Sequence, residues 1–346
     1  MKILFQTTGN DATGSHRILY PIQALKENIA NMEVQVLNET QLDDQLKWAD
    51  IVVMQCLIGS QQFSLIERIK SDGKALVIDY DDNFSVLPVN ILKKVNLTSE
   101  EAANNWQVYL KMADLITTTT PKLAEIINQK RDGLPKAVLL PNYIRLQDYG
   151  NSISYTPWLP EEEIRILYSC SDSHQKDIEY LAPILDLLAS VYKNIKIISQ
   201  GNIDFTFLRP NFKGKVYHTG AVPYSNYLGA LKKLKPHIFV APLQDSEHNR
   251  CRSDLKFLQS AILKCAFICN DLDPYSDIKD GITGLKVTNR LGWAWYLRKL
   301  VRDRSLAINL GLNSYQDASK MILENHINRW RDAYLTAMEI ASAGKN

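Results

Sequence analysis

The chain has 346 residues, 40 Lys plus Arg against 38 Asp plus Glu, a formal net charge of +2 and 45% hydrophobic residues. At roughly 100–200 residues per domain that length holds two domains, and the apolar content lets each bury its own core. The even charge balance argues against a dedicated nucleic-acid binder, whose face is strongly basic. The five cysteines (Cys56, Cys170, Cys251, Cys265 and Cys269) contain no CxxC pair and no histidine at ligand spacing. They read as reduced thiols of a cytoplasmic protein, not as a disulfide framework or a zinc site. The opening MKILFQTTGND has no long apolar stretch of the signal-peptide kind, and no apolar run approaches ~18 residues, so no integral membrane span is expected. Peripheral membrane contact stays open.

Short apolar runs alternate with amphipathic stretches along the chain. Strands are predicted at 2–7, 33–37, 50–55, 75–80, 113–120 and 137–142, with helices at 16–28, after 60, and from Pro121, a residue suited to a first helical turn. Residues 145–163 break the pattern with polar, aperiodic sequence and read as the linker, bounded at 151–163 between the two domains. The alternation restarts with strands at 164–170, 195–201, 215–220, 237–243 and 266–271, helices between them and one from about 254. Such alternation makes βαβ units and parallel sheets covered on both faces. Domains are expected at 1–150 and 164–320. The tail, 321–346, reads as a helix with Trp330, Tyr334 and Met338 on one stripe, expected to fold back onto the first domain.

In open α/β sheets ligands bind beyond the carboxyl ends of strands, and four loops there carry candidate residues. After the first strand come Gly9, Gly14, His16 and Arg17. The spacing fails the P-loop pattern because Ser15 stands where a lysine belongs, but a cation in a first helical turn makes sense beside a bound anion. After the strand at 75–80 come Asp79, Asp81 and Asp82, three carboxylates that repel unless hydrogen-bonded or neutralised. A solvated turn, a metal-holding acidic motif and recognition of sugar hydroxyls all fit them, and the metal reading is the weaker because the phosphate-type loop lies in the other half. After 237–243 come Arg250, Arg252, Ser253 and Lys256; Ser253 suits an N-cap, and cations crowding a positive helix end suit a diphosphate. After 164–170 come Ser169, His174 and Lys176, small hydroxyl, imidazole and ammonium groups at a strand-to-helix turn. Tyr275 also follows a strand and could approach a ligand.

Six segments, in order, resemble the retaining nucleotide-sugar glycosyltransferases of the GT-B fold (the group 1 type). VIDYDDNFSVLP looks like the acidic IDDD segment of a bacterial and phage branch, and ADLITTTTPKLAEII, LPNYI, SDSHQKDIEYL, APLQDSEHNRCRSDLKFLQSA and DPYSDIKDGITGLKV each resemble a family stretch. The resemblance implies two Rossmann-like domains facing across a cleft. It implies a nucleoside-diphosphate-sugar donor, such as a UDP- or GDP-sugar, held in the second half. Ser169, His174 and Lys176 would lie near its phosphates and sugar, Arg252, Ser253 and Lys256 would grip the diphosphate, and Gln259 would stand at the ribose. Gly9, Gly14 and Arg17 would line the acceptor side and the distal phosphate, with Asp79 and Asp82 on the acceptor side and Asp81 or His16 polarising the acceptor hydroxyl. No metal and no cofactor is expected. Relatives carry two glutamates where this chain has Cys251 and Gln259, and an amide is a poorer partner for two hydroxyls than a carboxylate.

The reaction the resemblance implies is sugar transfer with retained anomeric configuration, expected to pass through an oxocarbenium-like transition state. The acceptor stays open between a glycan, a lipid-linked sugar, a small molecule and modified phage DNA. A catalytically weakened nucleotide-sugar-binding protein and an epimerase acting on the nucleotide-sugar are the competing readings.

Overall fold

The computed structural model describes residues 1–151, 163–202 and 215–344. The apolar runs of the first half become β1 (Lys2–Phe5), β2 (Glu33–Val36), β3 (Ile51–Gln55), β4 (Ala75–Tyr80), β5 (Leu115–Thr118) and β6 (Val138–Leu139). They form one parallel sheet in the order β2-β1-β3-β4-β5-β6. Every residue of β3 and β4 is buried, as expected of central strands covered on both faces. The second half makes β7 (Ile164–Ser169), β8 (Ile195–Gln200), β9 (Val216–His218), β10 (Ile238–Ala241), β11 (Ala266–Asn270) and β12 (Leu285–Val287). Their order is β12-β11-β10-β7-β8-β9, again all parallel. The chain is thus two doubly wound α/β domains. Most of the predicted linker, 152–162, lies outside the described residues.

Two compact units result. One comprises Met1–Arg145, Arg250–Ser253 and Leu323–Asn346, the other Leu146–Asn249 and Asp254–Ile322. In the first, the helix Asn328–Ala343 lies against β3, β4 and β5. Trp330 and Tyr334 are buried, but Ala337 takes the deepest third place and Met338 only half inserts. A spacing of four drifts off a helix face that repeats every 3.6 residues. Cys251 sits in the same core with Met54 and Trp106, and its carbonyl accepts from Thr120 Oγ1 at 3.0 Å.

The strand order reverses between β1 and β3 in the first sheet and between β7 and β10 in the second. At such switch points the loops part and leave a crevice at the strands' carboxyl ends. Beyond β1 the chain turns into helix earlier than the predicted residue 16: Ala12–Gly14 is α-helical, Ser15–Leu19 is a π-turn and Tyr20–Asn28 is α-helical. Asp11 starts the helix, its side chain accepting from Gly14 N at 2.7 Å. The π-turn answers Pro21, which has no N–H for the carbonyl four residues back and would clash with it. The widened turn instead bonds Tyr20 N to Ser15 O.

Gly9 takes φ +125°, and its carbonyl is so close to Gly14 that any Cβ there would overlap it. Gly14→Ala is therefore expected to lower stability by about 1–3 kcal/mol, read as a lower urea midpoint. An unchanged midpoint would show that this loop is not packed as described.

Candidate functional site

In the second unit the switch point lies between β7 and β10, and polar side chains gather at the end of β7. The helix Leu255–Ile262 brings Lys256 there, and its Nζ donates to Ser169 O at 2.6 Å. Ser169 Oγ is 2.7 Å from Tyr227 OH, Tyr227 OH donates to Gln259 Oε1 at 3.3 Å, and Gln259 Nε2 donates to Tyr224 OH at 3.2 Å. The two tyrosine rings stack at 5.2 Å and 15°. Burial raises the Tyr227 phenol well above its ordinary pKa, so it stays a neutral donor. Ser169, Lys256 and Gln259 are thereby one connected group, and the Gln259 amide is occupied at both ends by tyrosine hydroxyls.

Asp177 joins this loop to the one after β10. Its Oδ1 accepts from Gln244 N at 2.8 Å and Asn249 Nδ2 at 3.3 Å, while its Oδ2 is 2.8 Å from His174 Nδ1. Asp177 sits in the first turn of the helix Gln175–Val191, where a negative charge is favoured. The carboxylate makes Nδ1 a protonated, donating nitrogen of the His174 ring and so fixes the ring's orientation. Lys176 projects from the same turn, exposed. Tyr275 does not approach a ligand: it is buried, its ring set edge-on to Phe267 at 5.4 Å.

The first unit's switch point holds the other group. Arg17, expected to face a phosphate, is 1% exposed and grips Asp79 bidentately, Nε to Oδ1 at 3.0 Å and Nη2 to Oδ2 at 2.7 Å. Its remaining arm reaches Leu140 O and Asn142 Oδ1. Burial works against the guanidinium charge, but Asp79 outweighs it and holds the pKa above its ordinary value. Thr117 Oγ1 also donates to Asp79, at 2.6 Å. Asp79 is therefore not an acceptor-side carboxylate and Arg17 not an accessible cation; both are committed to the interior.

Asp81 and Asp82 are differently served. Thr13 Oγ1 donates to Asp81 Oδ2 at 2.8 Å and Cys56 Sγ to Asp81 Oδ1 at 3.2 Å. Burial, then the charge of Asp82, pushes Asp81 up to about 6. Burial also raises Asp82, against Arg252, whose Nε lies 3.7 Å from Asp82 Oδ1. His16 is buried on the π-turn, Nδ1 3.1 Å from Tyr143 O and its ring edge-on to Tyr20. Ser253 does not cap a helix: Asp254 flanks the helix start, and Ser253 Oγ accepts from Asn142 Nδ2 at 3.0 Å. The segment 250–253 is held by the first unit through Cys251, so Arg252 and Ser253 group there and Lys256 with the second unit. Among the described residues no three or more His, Cys, Asp or Glu side chains converge as metal ligands, and no helix is long and apolar enough to cross a membrane.

Thr13 and Asp177 lie in candidate loops of the sequence but were given no role there, and Cys56 and Tyr227 were not site candidates. Position after a strand was the available signal for Cys56 and Thr13, and a first-turn acid beside His174 for Asp177; nothing local marks Tyr227.

No family model matches the chain, and no curated protein matches it. Solved structures do. HepE from Anabaena, in complex with UDP and glucose, is 12% identical, with 97% of this chain and 99% of that one covered and a TM-score of 0.67. Sucrose-phosphate synthase from Thermosynechococcus elongatus is 13% identical over 96% and 98%, TM-score 0.64. A glycosyltransferase from Rickettsia africae is 12% identical over 97% and 98%, TM-score 0.64. At these identities the likeness is one of fold: two Rossmann-like domains of the GT-B class.

The raised Asp81 has a stability signature. Its carboxyl is favoured neutral in the native state, so the stability it contributes is present below its ordinary 3.8 and lost as pH rises through about 6. Asp81→Asn is expected to raise the urea midpoint above about pH 6, with the difference fading toward about pH 4. A variant less stable at every pH would mean that Asp81 is a structural anion.

Proposed function

We propose that the chain is a glycosyltransferase, moving a sugar from a nucleoside-diphosphate sugar to an acceptor hydroxyl with retention and without a metal. The observation that carries this reading is the Lys256–Ser169 contact, which sets an ammonium group on the carboxyl end of β7 at the second sheet's switch point. Support comes from the fold, shared with a HepE structure in complex with UDP-glucose.

The donor's diphosphate would meet Lys256 and the N-terminus of the helix Leu255–Ile262, with Ser169, His174 and Lys176 along the loop after β7. As the glycosidic bond breaks, negative charge grows on the departing diphosphate. A preset cation and helix N–H dipoles stabilise that charge by several kcal/mol. On the acceptor side Gly9 and Gly14 shape the loop, Asp81 polarises the attacking hydroxyl, and Asp82 and His16 flank it. Asp81 and Asp82 repel anions, which favours a hydroxylic acceptor such as a glycan over a phosphate-rich one such as DNA.

A second reading, a nucleotide-sugar-binding protein of weakened activity, draws on Gln259. Its amide is occupied by Tyr224 and Tyr227, where a carboxylate would hold two ribose hydroxyls.

Calorimetric titration with nucleoside diphosphates and their sugars, with and without a divalent cation, tests both. Metal-independent binding is expected, weakened about ten- to a hundredfold in Lys256→Ala, the loss of one charge-assisted hydrogen bond of about 1.5–3 kcal/mol. Binding without turnover on any acceptor favours the second reading; no binding of any nucleotide overturns both.

A further inference from the structure

We propose that Cys56 and Thr13 are positioning residues for Asp81, holding its two carboxylate oxygens by neutral hydrogen bonds so that it keeps the strength of a base. The role rests on the transferase reading above.

Three carboxylates stand close together at the end of β4, and the structure treats them differently. Asp79 is met by Arg17, and Asp82 by Arg252. Asp81 is met by an S–H and an O–H, one on each oxygen. An ion pair would fix a carboxylate but suppress its basicity, because an adjacent cation stabilises the charged form. Two neutral donors fix the plane and rotamer of the group while leaving each oxygen a further lone pair for an incoming hydroxyl. Five groups face Asp81: Thr13 from the loop after β1, Cys56 from the end of β3, Asp79 and Asp82 from its own strand end, and Arg17 through its charge. Asp82 and burial raise its affinity for a proton, while Thr13 and Cys56 moderate it, leaving the carboxyl near 6. A base in that range is ionised at neutral pH and still strong enough to draw on a hydroxyl proton.

The backbone at Cys56 supports a side-chain role. Its φ is +51°, in the left-handed region, and its N–H donates to Asp79 O at 2.9 Å. That conformation is strained for a residue with a Cβ, and glycine would adopt it without strain. Here it turns Sγ onto Asp81 Oδ1.

Two measurements separate the contact from the catalysis. The first needs no turnover: the iodoacetamide alkylation rate of Cys56 at pH 8, read by mass spectrometry, in the parent and in Asp81→Asn. Burial and the Asp81 charge hold the thiol well above its ordinary pKa, so removing the charge is expected to speed alkylation about fivefold or more. An unchanged rate overturns the contact. The second is the acid limb of the pH profile of kcat/KM for donor turnover. Cys56→Ala, which removes a donor, is expected to move the limb to higher pH and lower kcat about two- to tenfold at an unchanged donor KM. Cys56→Ser, with a stronger donor, is expected to restore kcat and move the limb to or below the parent's. Equal limbs in all three overturn the positioning role. If Asp81→Asn does not fold, these opposite shifts carry the test alone. Responsive alkylation in a parent that turns over no nucleotide-sugar overturns the transferase reading, and with it the catalytic role, but not the contact.

Discussion

The Arg17–Asp79 ion pair is the constraint around which the first domain's loops are arranged. Both side chains are almost fully buried, and two charges removed from water are favourable only when geometry and further hydrogen bonds compensate their lost hydration. Here Thr117, Leu140 O and Asn142 complete the shell. The pair and its shell tie together the helix after β1, the end of β4, β5 and the chain beyond β6. Removal of either partner would strand the other as a buried charge, so the loops between them have little latitude. A further consequence is chemical. With Asp79 neutralised and Asp82 beside Arg252, Asp81 is left with neutral hydrogen-bond partners and a raised pKa.

The second domain uses a parallel device with a different outcome. Asp177 accepts from Gln244 and Asn249 and orients His174, so the loops after β7 and β10 are joined by one buried carboxylate. Lys256 then lies on the β7 carbonyl end with its charge opposed by no carboxylate in that contact. The first domain thus presents carboxylates at its switch point and the second a cation.

Most of the sheets were legible in the sequence because central parallel strands such as β3 and β4, buried on both faces, read as continuous apolar runs; among the described residues eleven of the twelve strands fall on predicted ones. β12 was missed because its three residues follow a polar, turn-rich stretch. Arg17 and Asp79 were misread for one reason: 62 residues apart, they reveal their pairing only when the sheet is assembled and the helix after β1 meets the end of β4, two strands away. With local sequence alone, a cation in a first turn implies an external anion; the actual anion was internal. The same distance effect hid the place of 250–253, whose Cys251 belongs to the first domain's core, and so made Ser253 look like a helix cap. Ser169, His174 and Lys256 carried a local signal, since each ends a strand or stands at the start of a helix. Tyr227, which links Ser169 to Gln259, carried no local mark.

The most direct test of the account is hydrogen–deuterium exchange of the whole chain with and without UDP-glucose. The account requires slowed exchange in the loop following Ser169 and in the first turn of the helix Leu255–Ile262, where a diphosphate would engage backbone N–H groups, and little change at Arg17 and Asp79, which are already committed to each other. Protection confined to other segments, or no protection at saturating nucleotide-sugar, would contradict it.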